Sequence, residues 1–404
     1  MVARATGTYR SAMASAHGPY ELVTHESIRD IGEPVWSGLA GADAPPFLSF
    51  TWLDALERHD RVAPERGWGP LYLTLRRDGE LVAAAPAYVK GNSEGEFVFD
   101  HAWAHFAEDR LELEYYPKLI VAVPFTPATG SRLLVRAGVD RTEATQAFVA
   151  GLRSLCQKLG LSGAHILFPP AAETARFVEA GMIHRVGIQY HWHNPGYHGF
   201  DDYLSGFNAK RRAQIRRERR EFFRSGVEVE VLTGGDLDEA VADLCYEFYL
   251  STVDKYFWGR RYLNRGFFRD VCERMPEQIL VVIARDRASR LPLAGAFNLL
   301  GGRRLYGRYW GALHERRFLH FNVCYYVGVE ECIARRLEAF EPGAGGEHKQ
   351  ARGFEPTATH SAHLIVNPVL EQVIRDHTDR ERAAIGAYLA STPAALRRSV
   401  RAAE

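Results

Sequence analysis

The richest run of chemically capable side chains lies between residues 306 and 363, in a stretch punctuated by glycine. In RLYGRYWGAL, Tyr306, Arg308 and Trp310 alternate with Leu305, Gly307 and Tyr309, and strand periodicity then predicts one polar, aromatic sheet face. Arg316, Arg317, His320 and Asn322 follow at the expected start of a helix, whose first N–H groups can receive an anion. Glu341 then closes the strand-like LEAFE and leads into Pro342-Gly343-Ala344-Gly345-Gly346-Glu347-His348-Lys349. Glycines placed after a strand let backbone N–H groups approach a ligand closely. The spacing is not that of a Walker loop, which requires G-x-x-x-x-G-K-[ST]. Such a set suits attack of an amine on an ester or thioester. That reaction needs a proton acceptor, worth about 100- to 10,000-fold, and a donor or cation for the carbonyl oxygen. Glu347 and His348 are the candidate bases, with Glu341 third. Lys349 is the candidate for the carbonyl oxygen or a phosphate, and Tyr306, Arg308, Trp310 and His320 are candidate substrate contacts.

A second concentration is NAKRRAQIRRERREFFR, residues 208–224, with eight basic and two acidic side chains. Asn208 is a helix N-cap by type, and Gly226 follows the run. Arg211, Ile215 and Phe222 fall on one helical face, so Arg211 is directed toward the apolar side. It either meets a buried carboxylate there or contacts a phosphate, which suits a guanidinium fork. Arg212, Arg216, Arg219 and Arg220 read as a solvated face or as an RNA or polyphosphate surface. No aromatic residues are interleaved for base stacking, which argues against sequence-specific single-strand binding.

Other chemistries fit less well. His191-x-His193, His360-x-x-His363, His320 and Cys324 supply zinc-ligand types, but no established ligand spacing, so no metal is expected. There is no G-x-S-x-G elbow, and Cys324 and Cys332 lie in an apolar helix. The five cysteines are dispersed, without a C-x-x-C pair, which argues against a disulfide framework or a cysteine-rich zinc site. Fifty basic residues balance fifty acidic ones, so no global field would draw the chain to DNA or a membrane. Only six of the basic residues are lysine. No run of about 18 apolar residues occurs, so no span is expected and the cytoplasm is the expected compartment. Residues 1–20 lack acids and read as a frayed end or, alternatively, a mitochondrial-type presequence.

The elements that must position these residues appear twice. Residues 47–105 run as an apolar helix, the strand LYLTLRR, an Asp78-Gly79 turn, LVAAAPAYV and then EFVFDHAW as a third strand. Residues 263–313 repeat this order with ILVVIAR, LPLAGAFNLL and RLYGRYWGAL. Each copy continues into a helix (142–160 and 321–336) and a buried strand (164–168 and 337–341). This pattern predicts a duplicated α/β unit with mixed sheets and helices on their faces. The expected divisions are a flexible stretch 1–19, a first domain 20–193, a second domain 196–365 holding the active cleft, and 366–404. That last part comprises two short helices, 367–377 and 380–390, and a tail with Arg397, Arg398 and Arg401.

Several strings resemble the FemAB-like acyltransferases, a branch of the GNAT superfamily with tandem domains. They are YVKGNSEGEFVFDHAW (88–103), YYPKLIVAVPFTPATGSRLLVR (115–136), IQYHWHN (188–194), KRRAQIRRERR (210–220), WGRRYL (258–263), LYGRYWG (305–311), LHFNVCYY (319–326) and GEHKQARGFEPTATHSAH (346–363). The resemblance covers roughly residues 45 to 365. It implies two tandem GNAT-like domains and transfer of an aminoacyl group, from aminoacyl-tRNA, or of another acyl group onto an amine of a cell-wall precursor or small metabolite. It also implies that Lys210 and Arg211 hold the acceptor's diphosphate. Departures are IQYHW where QFHW is expected and Pro342 after Glu341. The acetyl-CoA loop of GNAT enzymes, Q/R-x-x-G-x-G/A, is replaced by Arg316-Arg317-Phe318-Leu319-His320-Phe321, with no glycine. That favours aminoacyl-tRNA over acyl-CoA as co-substrate; no resident cofactor is expected. Lys90, Asp100, Trp103, Tyr116 and Lys118 are expected to face a cleft between the copies, with Trp103 and Lys118 as acceptor contacts. The alternatives are an acyl-CoA-dependent N-acyltransferase of a small molecule and a non-catalytic protein that binds cell-wall precursors.

Overall fold

A computed structural model describes residues 13–41, 43–255 and 259–391. The presequence reading of the first residues, Trp258, and Arg397, Arg398 and Arg401 lie outside the described residues. The chain forms two compact units, residues 1–188 with 358–387 and residues 189–357 with 388–404.

The first unit begins with β1 (Met13–His17), β2 (Tyr20–His25), α1 (Glu33–Ala40), α2 (Phe50–Arg58), β3 (Gly69–Pro70), β4 (Tyr72–Arg77), β5 (Glu80–Ala85) and β6 (Ala87–Lys90). It continues through α3 (His101–Leu111), β7 (Lys118–Val121), β8 (Leu134–Val135), α4 (Arg141–Leu159), β9 (Gly163–Leu167) and α5 (Ala171–Glu179) into β10 (Ile183–His193). One sheet has the order β1-β2-β4-β5-β8. Pro86, which has no N–H to give a ladder, separates β5 from β6. From there β6 pairs antiparallel with β7, and β7 pairs parallel with β9. The crossover helix α4 that joins β7 to β9 starts at Asp140, whose carboxylate accepts the N–H groups of Thr142 and Glu143. It stops at Gly160, where φ of 65° suits glycine. Leu73, Leu75, Val82, Phe148, Leu152 and Ile166 are central to the core, each burial worth about 1.5–3 kcal/mol.

The second unit contains α6 (Phe200–Ser205), α7 (Ala209–Arg224), β11 (Val227–Leu232), α8 (Glu239–Val253), α9 (Arg265–Arg274), β12 (Ile279–Asp286), β13 (Pro292–Gly301) and β14 (Arg304–Ala312). After these, α10 (Leu319–Phe321) runs through a π turn, Asn322–Tyr326, into α11 (Val327–Ala334) and β15 (Ala339–Glu341). A 3-10 turn, Glu347–Arg352, precedes β16 (Glu355–Ile365). The strand order here is β11-β12-β13-β14-β15-β10, with β14 and β15 parallel and the other pairs antiparallel. The chain re-enters the first unit within β16, whose residues 361–365 pair with β9, and most of α12 (Pro368–Ser391) belongs there.

Both units therefore contain antiparallel strands followed by a helix and a parallel strand, an α/β architecture with mixed sheets. Two expectations are corrected. EFVFDHAW is not a strand: residues 91–100 are loop, and His101 opens α3. The Asp100 carboxylate engages Tyr115 and Lys118, and Phe97 has a left-handed φ of 60°, which no strand accommodates. The third strand of that copy is β7 instead. The two C-terminal helices are one continuous helix, because no proline interrupts the chain between Val369 and Ser391.

Candidate functional site

In the second unit the parallel pair β14 and β15 is short. Arg304 faces Ala339, Leu305 faces Phe340 and Tyr306 faces Glu341; there β15 ends, while β14 continues to Ala312. The sheet thus opens at Glu341. On its other edge β14 carries a bulge: Phe297 pairs with Tyr309 and Asn298 with Gly307, so Arg308 is the additional residue. A bulge breaks strict alternation, which overturns the single polar face expected for Tyr306, Arg308 and Trp310. Tyr306 is buried, Arg308 lies 5.1 Å from the Tyr309 ring, and Trp310 stacks on His320 with centroids 4.3 Å apart. Gly307 lets the loop approach closely: a Cβ would come within 3.1 Å of Pro342 Cα, so a larger residue would press on the loop.

The segment after β15 folds back over this opening. Gly343, Gly345 and Gly346 have φ of 85°, 71° and 89°, a left-handed region that favours glycine. The 3-10 turn that follows exposes Glu347 and His348 and buries Lys349 and Arg352. Lys349 Nζ donates to the carbonyls of Gly343 (2.8 Å) and Ala344 (3.4 Å), tying the glycine loop to the turn. Burial lowers the Lys349 ammonium to about 8. His348 Nε2 lies 3.0 Å from the Tyr325 hydroxyl. Burial, then the Arg352 and Lys349 cations, hold His348 below the usual imidazole range. His320 is depressed further, to about 4, by burial and then by His348, Arg352 and Lys349. Both imidazoles are therefore neutral at pH 7. Glu341 is 3% exposed, accepts from Arg304 at 2.9 Å and lies 4.0 Å from His191 Nε2. It belongs to the buried end of the opening, away from the exposed Glu347 and His348.

The basic helix α7 is joined to this turn. Asn208 caps it by accepting the Arg211 N–H at 2.9 Å. Arg211 Nη1 donates to Gln214 Oε1 (3.0 Å), and Gln214 Nε2 donates to Glu218 Oε1 (2.9 Å). Glu218, 2% exposed, receives Arg352 Nη2 at 3.0 Å and the Tyr326 hydroxyl. Arg352 Nη1 donates to the His348 carbonyl at 2.9 Å, and the guanidinium lies 3.4 Å from the Phe321 ring. A continuous ladder thus runs from Arg211 to His348. Of the outward residues, Arg216 pairs with Asp201 and Arg219 with Glu330, whereas Arg212 donates to the Phe207 carbonyl. Lys210 and Arg220 are exposed.

One known family, described as peptidoglycan biosynthesis/recognition, matches residues 27–397 of the chain. The chain belongs to the FemAB-like family. Among solved structures, FemX is similar at 12% identity and a TM-score of 0.51, over 87% of this chain and 99% of that one. A conserved protein of unknown function from Bacteroides thetaiotaomicron is similar at 11% identity and a TM-score of 0.50, over 85% and 99%. A tandem GNAT protein from the clavulanic acid biosynthesis pathway gives 13% identity and a TM-score of 0.44, over 86% and 99%. No curated protein sequence matches. The fold is that of FemX, an α/β architecture with mixed sheets.

In this FemAB-like chain the first-unit residues expected to contact an acceptor sit in the interior of their own unit. Lys118 is fully buried and donates to Ser93 (2.8 Å), Glu96 (2.9 Å) and Asp100. An ammonium has three protons, so none remains for a ligand, and its expected contact role is corrected. Trp103 is 4% exposed, edge-on to His363 at 4.9 Å and beneath the Arg185 guanidinium at 4.7 Å, which makes it a packing residue. Lys90 is also buried, 3.9 Å from the Trp68 ring, whereas Tyr116 is half-exposed and bonded to Ser93. The histidines weighed as zinc ligands hydrogen-bond otherwise: His191 with Gln189, His360 with His184 and His363 with His165. Among the described residues no cluster of three or more His, Cys, Asp or Glu stands ready for a metal. Nor is any described helix long and apolar enough to cross a membrane. Sequence reasoning passed over Glu218, Tyr325, Tyr326 and Arg352. Glu218 left a signal: it shares the buried stripe of Ile215 and Phe222, and an acid there demands a partner.

Proposed function

We propose that the second unit forms amides, moving an aminoacyl or acyl group directly onto an amine of a cell-wall precursor, without a covalent enzyme intermediate. The observation that supports this best is the ladder from Arg211 through Gln214, Glu218 and Arg352 to His348. It holds a cationic helix and a glycine-hinged Glu-His-Lys turn in one assembly, beside the opening of β14 and β15. Lys210 and Arg211 are the proposed contacts for an acceptor phosphate. Lys349, His348 and Glu347 are the groups that manage charge and protons at the reacting carbonyl. Glu341, buried against Arg304, serves the shape of the opening. Trp310 and His320, stacked on each other, line it as a proposed apolar wall for the acyl group or its carrier.

Aminoacyl-tRNA is the preferred donor. The segment between β14 and α10 lacks glycine, and Phe318 holds a left-handed φ of 62° where a nucleotide-cradling loop would place one. The test is incubation of the pure protein with aminoacylated tRNA, or with acyl-CoA, and an amine-bearing cell-wall precursor, followed by mass spectrometry for a new amide. Amide formation is expected with charged tRNA. A rise in melting temperature with CoA and none with charged tRNA would instead identify an acyl-CoA enzyme. Binding of the precursor with no amide under either donor would make the chain a recognition protein. Transfer that survives in both Glu347→Gln and His348→Ala would remove these residues from the chemistry.

A further inference from the structure

Resting on that reading, we propose that Tyr325 is a positioning residue that fixes the tautomer of His348. It leaves Nδ1–H as the hydrogen-bond donor of the ring and takes this imidazole out of contention as the general base. The Tyr325 hydroxyl lies 3.0 Å from His348 Nε2, and the residue is only 4% exposed. Its ring is packed edge-on against Phe354, with centroids 5.4 Å apart, and against His320 at 5.2 Å. Among the described residues the hydroxyl has no other hydrogen-bond partner. The hydroxyl must donate somewhere, and among the described residues the acceptor it meets is Nε2. Donation needs the Nε2 lone pair, so the single proton of the neutral imidazole sits on Nδ1. The opposite arrangement would leave a buried phenolic proton unmet while satisfying a nitrogen of an exposed ring, which is the worse exchange.

Two further features make the arrangement rigid. Arg352 Nη1 fixes the His348 carbonyl at 2.9 Å, so the residue is held at backbone and ring together. The π turn supplies the second: it places consecutive residues, Tyr325 and Tyr326, so that one bonds His348 and the other bonds Glu218 of α7. Burial, with the cations Arg352 and Lys349, favours the uncharged imidazole, which is the state in which a tautomer has meaning.

The consequence for transfer is specific. The amine nitrogen attacks the acyl carbon, the carbonyl electron pair moves onto oxygen, and Nδ1–H of His348 donates to that oxyanion. On collapse the bond to the ester oxygen or thioester sulfur breaks, the leaving atom takes that electron pair, and it receives the proton released by the amine through Glu347. The amide and the free hydroxyl or thiol account for all atoms.

The decisive measurement is long-range proton–nitrogen NMR of full-length protein labelled with 15N-histidine, the His348 signals being assigned by their loss in His348→Gln. Wild type is expected to show a protonated Nδ1 and an unprotonated Nε2. Tyr325→Phe, which keeps the ring, should move His348 toward the Nε2–H form preferred by free imidazole. An Nε2–H tautomer in wild type overturns the proposal, and so does a tautomer unchanged in Tyr325→Phe. If that variant does not fold, the wild-type spectrum decides alone. A second arm uses the transfer assay. His348→Gln retains a donor and should stay within about tenfold of wild type, while His348→Ala should lose about 100-fold or more. Equal losses in the two variants would restore His348 as base and refute the proposal. The NMR arm contains no substrate, so absence of amide formation would defeat the functional reading while leaving this inference to its own test.

Discussion

Removing the Glu218 carboxylate, as in Glu218→Leu, should be among the most damaging single changes in the second unit. Glu218 and Arg352 are 2% and 4% exposed and meet at 3.0 Å. Loss of one partner strands the other charge inside the protein, at a cost of about 3–5 kcal/mol. The Tyr326 hydroxyl, also buried, loses its acceptor in the same step, adding about 1–3 kcal/mol. Gln214 is half-exposed and turns to water. Glu218→Leu should therefore cost about 4–8 kcal/mol in the stability of α7 and the 347–352 turn. Arg352→Met should cost less, about 2–4 kcal/mol, since Glu218 keeps the Tyr326 and Gln214 donors. The double variant removes both charges and leaves one stranded hydroxyl, so it should lose only about 1–3 kcal/mol. The cycle thus predicts coupling of at least about 2 kcal/mol. Native-state hydrogen exchange of the amides in residues 209–224 and 347–352, compared across the four proteins, measures it directly. Coupling under about 0.5 kcal/mol would show that the ladder does not join the basic helix to the turn, and the proposed site would lose its foundation.

Lys349 predicts a pH effect of defined sign. Its ammonium is depressed from 10.5 to about 8 by burial, so between these values the unfolded chain binds more protons than the folded one. Stability should rise with pH across that window, by roughly 3 kcal/mol in full; followed by urea unfolding, the rise should be absent from Lys349→Met and so appear in the difference between the two proteins. A flat difference between wild type and variant would place the ammonium in water. In the first unit, Lys118→Met leaves Glu96 and Asp100 without their shared cation. Hydrogen exchange around β7 should report a loss of about 3–5 kcal/mol, whereas wild-type protection there would reinstate Lys118 as a surface contact.

The strands of the second unit were legible because their pattern is local: ILVVIAR, LPLAGAFNLL and RLYGRYWGAL alternate with turns whose residues are read directly. The glycine hinge before Glu347 was legible for the same reason, since left-handed φ values select glycine at three positions. The third strand of the first unit was not. EFVFDHAW has the apolar content of a strand, but Asp100 is drawn to a lysine eighteen residues later. The Arg308 bulge was equally hidden, because it is defined by the register of the neighbouring strand.

Residue types and spacing alone determined the duplicated α/β pattern, the basic helix and the Glu-His-Lys turn, since each depends on neighbours a few positions away. Tertiary structure decided which polar groups were already engaged. Lys118 and Glu341 proved to be buried in ion pairs, and Arg352 and Tyr325 emerged as the residues that hold His348. The physical reason is range. A charge is neutralised by whichever partner folding brings within hydrogen-bond distance, and for Glu218 that partner lies 134 residues along the chain.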